Sequence, residues 1–167
     1  RERFEELHVK GAVNLSFRKL DRAPSPCRTA FLPIHGGDIS GFDALVSEVA
    51  SALAEKGDRR AADRLARNYG SAYGDVLRLT RDDPGLATPI CGTEVMRAEI
   101  VHAVRTEMVH HLSDCVFRRT DLGTAGHPGD AALEECAGLV AGELGWGAEQ
   151  REAEMEEVRR RFRIGDQ

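Results

Sequence analysis

The chain has 167 residues, enough for one domain with a sizeable core. Apolar residues make up 41% and charged residues 31%, while aromatics reach only 5%, so the core must rest on Leu, Val, Ala and Ile, a composition that leans towards helices rather than a β-sandwich. A net charge of -5 argues against nonspecific nucleic-acid binding, which needs a basic surface. No apolar run approaches the roughly 18 residues of a membrane span, and no secretory signal is legible. Cys27, Cys91, Cys115 and Cys136 are far apart and form no C-x-x-C, so zinc-ribbon spacing is absent and they read as reduced thiols of a cytosolic protein. The chain opens on Arg1 in mid-phrase, which suggests a piece of a longer protein.

Residues 1–20 carry Phe4, Leu7, Leu15, Phe17 and Leu20 as an apolar set for one or two short helical turns, weakened by Gly11. The stretch "DRAPSPCRTAFLPIHGGD" holds three prolines and two glycines and reads as an extended connector between a lead-in and the main domain. Asp38 or Ser40 can cap a helix over about 41–56, with Phe42, Leu45, Val46, Val49 and Leu53 inward and Gly57 at its end. A second helix follows, capped by Asp58 and stopped at Gly70; a third starts near Ser71, turns Val76 and Leu77 inward and ends before Pro84. "LATPICGTE" is a loop. A long helix then begins near Met96-Arg97 and is expected to run to about Thr120. "GTAGHPGD" breaks the chain again, and two last helices, 130–144 and 147–163, meet across Gly145-Trp146-Gly147. With no period-two pattern, the expected fold is all-α, a compact domain of about five to seven helices behind a Pro/Gly-rich N-terminal connector.

The long helix concentrates the ionisable groups. At 100° per residue, Val101, Val104, Met108, Leu112, Cys115 and Val116 fall on one core-facing stripe. E-x-x-H occurs twice, at Glu99–His102 and Glu107–His110. A dinuclear metal site needs such motifs on different helices, whereas one helix would hold these about 12 Å apart. No metal, catalytic or cofactor-binding residue is therefore assigned. Glu107–His111 and Asp114–Arg118 are i,i+4 pairs in the favourable order, and form a polar ridge beside the stripe. Arg105 and Arg119 project near the stripe itself, so each must reach water or a buried acid. On the second reading, Arg105→Ala costs about 3 kcal/mol or more.

The segment "AEIVHAVRTEMVHHLSDCVFRRTDL" resembles one in the C-terminal helical domain of FAD-dependent glycerol-3-phosphate dehydrogenases and alpha-glycerophosphate oxidases. "PCRTAFLPIHGG", "RNYGSAYGDVLRL" and "AGELGWGAEQREAEMEEVRRRF" resemble further stretches of that family in the same order, over about residues 24–163. The resemblance implies an end of an upstream flavin domain over 1–23 and a C-terminal helical accessory (cap) domain over 24–167. It implies a parent enzyme that oxidises sn-glycerol 3-phosphate to dihydroxyacetone phosphate, with FAD as cofactor and quinone, or oxygen in the oxidases, receiving the electrons. This chain has no G-x-G-x-x-G loop, so FAD is expected in the parent and not in the fragment, which is expected to be inactive alone. Arg105, Glu107, Asp114, Arg118 and Arg119 match family positions and are expected to hold the cap together or against the flavin domain. The expected partners are that upstream domain of the same chain and, as a second option, a further copy in a homo-oligomer; nucleic acid is not expected. The resemblance places the parent in the cytoplasm, with contact to the inner face of the membrane only at its periphery. The competing reading is a free-standing helical protein–protein interaction module without enzymatic activity.

Overall fold

The computed structural model describes residues 30–53 and 59–163. The chain divides into two compact units, Arg1–Asp38 and Ile39–Gln167. The lead-in expected over 1–23, and the caps expected at Gly57 and Asp58, lie outside the described residues. In the first unit the connector makes a tight turn, in which Gly37 N donates to Ile34 O at 2.8 Å.

The second unit is all-α. Among its described residues there is no strand, only an isolated antiparallel bridge between Pro89 and Met96. Helix α1 (Phe42–Ala52) buries Leu45, Val46 and Val49, the i, i+1, i+4 set its spacing predicts. Its N-cap is Gly41, which has no side chain to cap with, so the expected cap from Asp38 or Ser40 is not made. Helix α2 (Arg59–Tyr69) buries Ala62, Leu65, Ala66 and Tyr69, and ends where Gly70 adopts φ 54. A 3-10 turn, Gly70–Ala72, leads into α3 (Tyr73–Asp82), whose buried face is Val76 and Leu77. Beyond it Asp83 accepts from Gly85 N at 2.9 Å and starts a 3-10 turn at Pro84–Ala87.

Helix α4 (Arg97–Thr106) lies at the centre. Six successive residues, Ala98 to Ala103, are buried, so this helix has packing on every side rather than one core face. It stops at Thr106, whose hydroxyl donates to His102 O at 2.7 Å. Met108 then turns the backbone left-handed, at φ 59, in a place where helices usually end on glycine. Val109 drops into the core, and a new turn, α5 (Leu112–Asp114), runs into a π-helical turn at Cys115–Arg119. The single helix expected over 96–120 is therefore two pieces, and the predicted stripe breaks with it. Val101 is buried, Val104 is half-buried, and Met108 is 76% exposed, its expected place inside taken by Val109.

A 3-10 turn at Asp121–Gly123 precedes α6 (Asp130–Leu144) and α7 (Ala148–Arg163), joined as the sequence indicates. Gly145 is left-handed, at φ 71, and Trp146 N reaches back to Ala141 O at 2.9 Å, the geometry that favours glycine after a helix.

Two apolar cores result. One gathers α1, α2 and α3 with Met96 and Ala98. The other gathers Ile100 and Ala103 of α4 with Leu112, Cys115 and Val116, the inner face of α6, and Met155 and Val158 of α7. Helix α4 contributes to both. In the second core the sulfurs of Cys115 and Cys136 lie 3.8 Å apart as free thiols. The Cys115 contact and burial push the Cys136 thiol well above its ordinary pKa.

Candidate functional site: buried carboxylates that tie the helices

Glu99 stands in the first turn of α4 and is wholly buried. Its carboxylate is saturated. Arg64 of α2 approaches it with both terminal nitrogens, Nη1 donating to Oε2 at 2.9 Å and Nη2 to Oε1. The Tyr69 hydroxyl donates to Oε2 at 3.2 Å, and Met96 N donates to Oε1 at 2.7 Å. The last of these is also a helix cap, since Glu99 reaches back over the first turn of its own helix. Arg64 extends the network outward. Its Nη1 lies 3.4 Å from Asp121 Oδ2, which also accepts from Asn68 Nδ2 at 2.6 Å. His102, one turn along α4 from Glu99, sets its ring edge-on to Tyr69, with centroids 5.6 Å apart.

The electrostatics follow from this packing. Burial alone would lower the Arg64 pKa, but the hydrogen bonds and charges of Glu99 and Asp121 outweigh it and hold the guanidinium above its ordinary value. Burial, and then the Glu99 charge, push the Tyr69 phenol far up, so that it stays a donor. A carboxylate with four donors and no exposure has no lone pair for a substrate or an ion. The cluster positions helices. Among the described residues no group of three or more His, Cys, Asp and Glu is arranged to hold a metal ion.

Two further acids do the same work elsewhere. Glu154, buried on α7, accepts from Leu112 N at 2.9 Å and lies 2.8 Å from His111 Nδ1, which anchors the start of α5. Glu135 on α6 takes Arg97 Nε at 2.5 Å and Cys91 N at 2.9 Å, which fixes the loop before α4. Burial would raise the Glu135 pKa, but the Cys91 N–H and Arg97 hold it below the ordinary carboxylate value.

The residues expected to form the polar ridge are spread by the break at Met108. Asp114 and Arg118 do pair, at 3.1 Å, and Asp114 also accepts from His110 N and His111 N. Glu107 closes the end of α4, and its expected partner His111 bonds to Glu154 instead. Arg105 makes a two-pronged pair with Glu143 of α6, both contacts 2.7 Å, but its side chain is 53% exposed. A pair so open to solvent contributes about 1 kcal/mol or less, which replaces the larger cost expected for a buried pair. Arg119 is exposed at the end of the π turn rather than beside an apolar stripe. The two E-x-x-H motifs also part company, since Glu99 and His102 lie inside α4 whereas His110 falls beyond its end.

Sequence reasoning missed Arg64, Asn68, Asp121 and Glu154 as members of a site. The available signal was Glu99 itself, a charged residue with Ala98, Ile100 and Val101 around it, where an acid is costly unless paired.

Comparison with known proteins supplies the context. Residues 27–151 match the family model for the C-terminal domain of alpha-glycerophosphate oxidase. A glycerol-3-phosphate dehydrogenase of Mycobacterium leprae (strain TN) is 34% identical over 134 residues, covering 78% of this chain and 23% of that protein. One of Synechocystis sp. is 28% identical over 149 residues, covering 86% of this chain and 26% of that protein. An aerobic glycerol-3-phosphate dehydrogenase of Staphylococcus aureus (strain USA300) is 33% identical over 104 residues, 58% of this chain and 18% of that protein. The chain thus spans about a quarter of the length of the first two relatives. With most of its length matched, the chain belongs to the C-terminal domain family of alpha-glycerophosphate oxidase.

Proposed function

We propose that this chain serves as the C-terminal accessory domain of a flavoenzyme that oxidises sn-glycerol 3-phosphate to dihydroxyacetone phosphate and delivers the electrons to quinone. The observation that carries this reading is the match of residues 27–151 to the C-terminal domain family, together with the dehydrogenase names of its relatives. The described residues contain no strand, and so no strand–turn–helix of the kind that cradles a dinucleotide. In this reading the cofactor and the reacting groups belong to an upstream flavin domain of the same chain. The accessory domain is then non-catalytic and serves interdomain packing or oligomerisation. Arg105, Glu107, Asp114, Arg118 and Arg119 have a structural part in it: Arg105 ties α4 to α6, Asp114 caps α5 and pairs with Arg118, and the exposed side chains of Arg118 and Arg119 are placed to meet a neighbouring surface. The parent would work in the cytoplasm, against the inner face of the membrane. Among the described residues no helix is long and apolar enough to cross a membrane, which is compatible with a peripheral contact.

The test is to express the chain with the reading frame that precedes Arg1, and to measure flavin absorbance and dye reduction with sn-glycerol 3-phosphate. Bound flavin with substrate-dependent reduction is the expected result. A start codon just before Arg1 and no flavin would leave the free-standing helical module instead.

A further inference from the structure

The connector presents an apolar surface. Phe31 is 82% exposed, Leu32 57% and Ile34 83%. These are three large apolar side chains within four residues. The other large exposed apolar residues of the described chain, Ile39, Met108 and Phe117, are scattered. Single exposed apolar side chains are ordinary on a protein surface, and a local cluster is the informative case. No ionisable side chain occurs in residues 30–34, so burying this segment would strand no charge.

The segment is also shaped. Pro33 biases Leu32 away from helical backbone. After Ile34 the chain turns sharply, with Gly36 at φ 75 and Gly37 N bonded to Ile34 O at 2.8 Å. A Cβ on Gly37 would come within 2.9 Å of Ile34 Cγ1, so the turn is packed against the isoleucine that it presents. A preformed apolar element loses less entropy on docking than a slack one.

Its position in the chain selects the occupant. The family match begins at residue 27, four positions before Phe31, so the patch lies at the edge of the domain nearest to whatever precedes it. A surface joined to its target by a short linker meets that target at millimolar effective concentration, so a small contact suffices. We propose that Phe31, Leu32 and Ile34 dock onto the flavin domain upstream of them, so that the connector is an adhesive contact and not only a tether. This rests on the reading under Proposed function.

Thermolysin cleavage between Ala30 and Phe31 tests it. The rate is measured in the 167-residue chain and in the chain extended by its upstream frame. In the flavin-loaded extended protein the bond is expected to be cut at least about 10-fold more slowly, since cleavage tracks the fraction of time the segment is free. Leu32→Ser with Ile34→Ser should abolish that protection, judged against the same pair of substitutions in the 167-residue chain. Equal rates in a flavin-loaded protein would overturn the docking and leave the enzyme reading intact. An extended protein without flavin would sink that reading and this inference with it. Protection of the 167-residue chain that grows with its concentration would show that a second copy covers the patch, and would also overturn the proposal.

Discussion

The imidazole of His111 lies beside the Glu154 carboxylate, which raises its pKa above the ordinary histidine value by hydrogen bond and by charge. A histidine with a raised folded-state pKa stabilises the fold fully below the unfolded value, and loses that contribution as pH rises through the folded value. The ring is 64% exposed, so solvent screens the effect and it stays small. His111→Gln is expected to lower the urea midpoint more at about pH 5.5 than at about pH 9, on either side of the ordinary histidine value. An equal loss at both pH values would show that the charge on the ring contributes nothing. The residue itself was visible in the sequence, but its partner was not. Glu107, four residues earlier, fits the i,i+4 rule, and only the position of α7 brings Glu154 closer.

The break between α4 and α5 belongs to the scale of elements. Residues 97–120 contain neither glycine nor proline, so no local signal ends the helix, and an unbroken span was the natural reading. What ends it is tertiary. Glu154 satisfies Leu112 N, and Val109 gains a buried place that Met108 gives up. The cost sits at Met108, whose left-handed backbone is unfavourable for a residue with a Cβ. Met108→Gly is expected to stabilise the domain by about 1 kcal/mol, and Met108→Val to destabilise it, because a β-branched residue tolerates this conformation least. Urea melts of the two variants decide it, and a less stable Met108→Gly would show that the methionine makes a contact worth more than its strain. The helices with clean punctuation, α2 before Gly70 and α6 before Gly145, were legible because the stop is local.

On the scale of the whole molecule, two apolar cores share one helix, and the Arg64–Glu99 pair crosses from α2 to α4 between them. Breaking a buried pair leaves a charge without a partner, which costs about 3–5 kcal/mol. Glu99→Ala is expected to lose about that much in urea melts, whereas Arg64→Met combined with Glu99→Met should recover most of it, since it removes both charges and fills the space. A double variant no more stable than Glu99→Ala would mean that the Tyr69 and Met96 bonds, not the ion pair, carry the energy. The all-α class and most helices could be read from periodicity, but the pair could not, because 35 positions separate its members and only packing joins them.

The anchor at Glu154 has a consequence for synthesis. Leu112 precedes it by 42 residues, and the intervening chain makes all of α6 and the first turns of α7. A ribosome releases Leu112 first, and its backbone amide then lacks its Glu154 partner until α7 emerges. The middle of the domain cannot close in its final form until α7 has emerged, and a chain truncated ahead of Glu154 lacks the acceptor that holds its central turn.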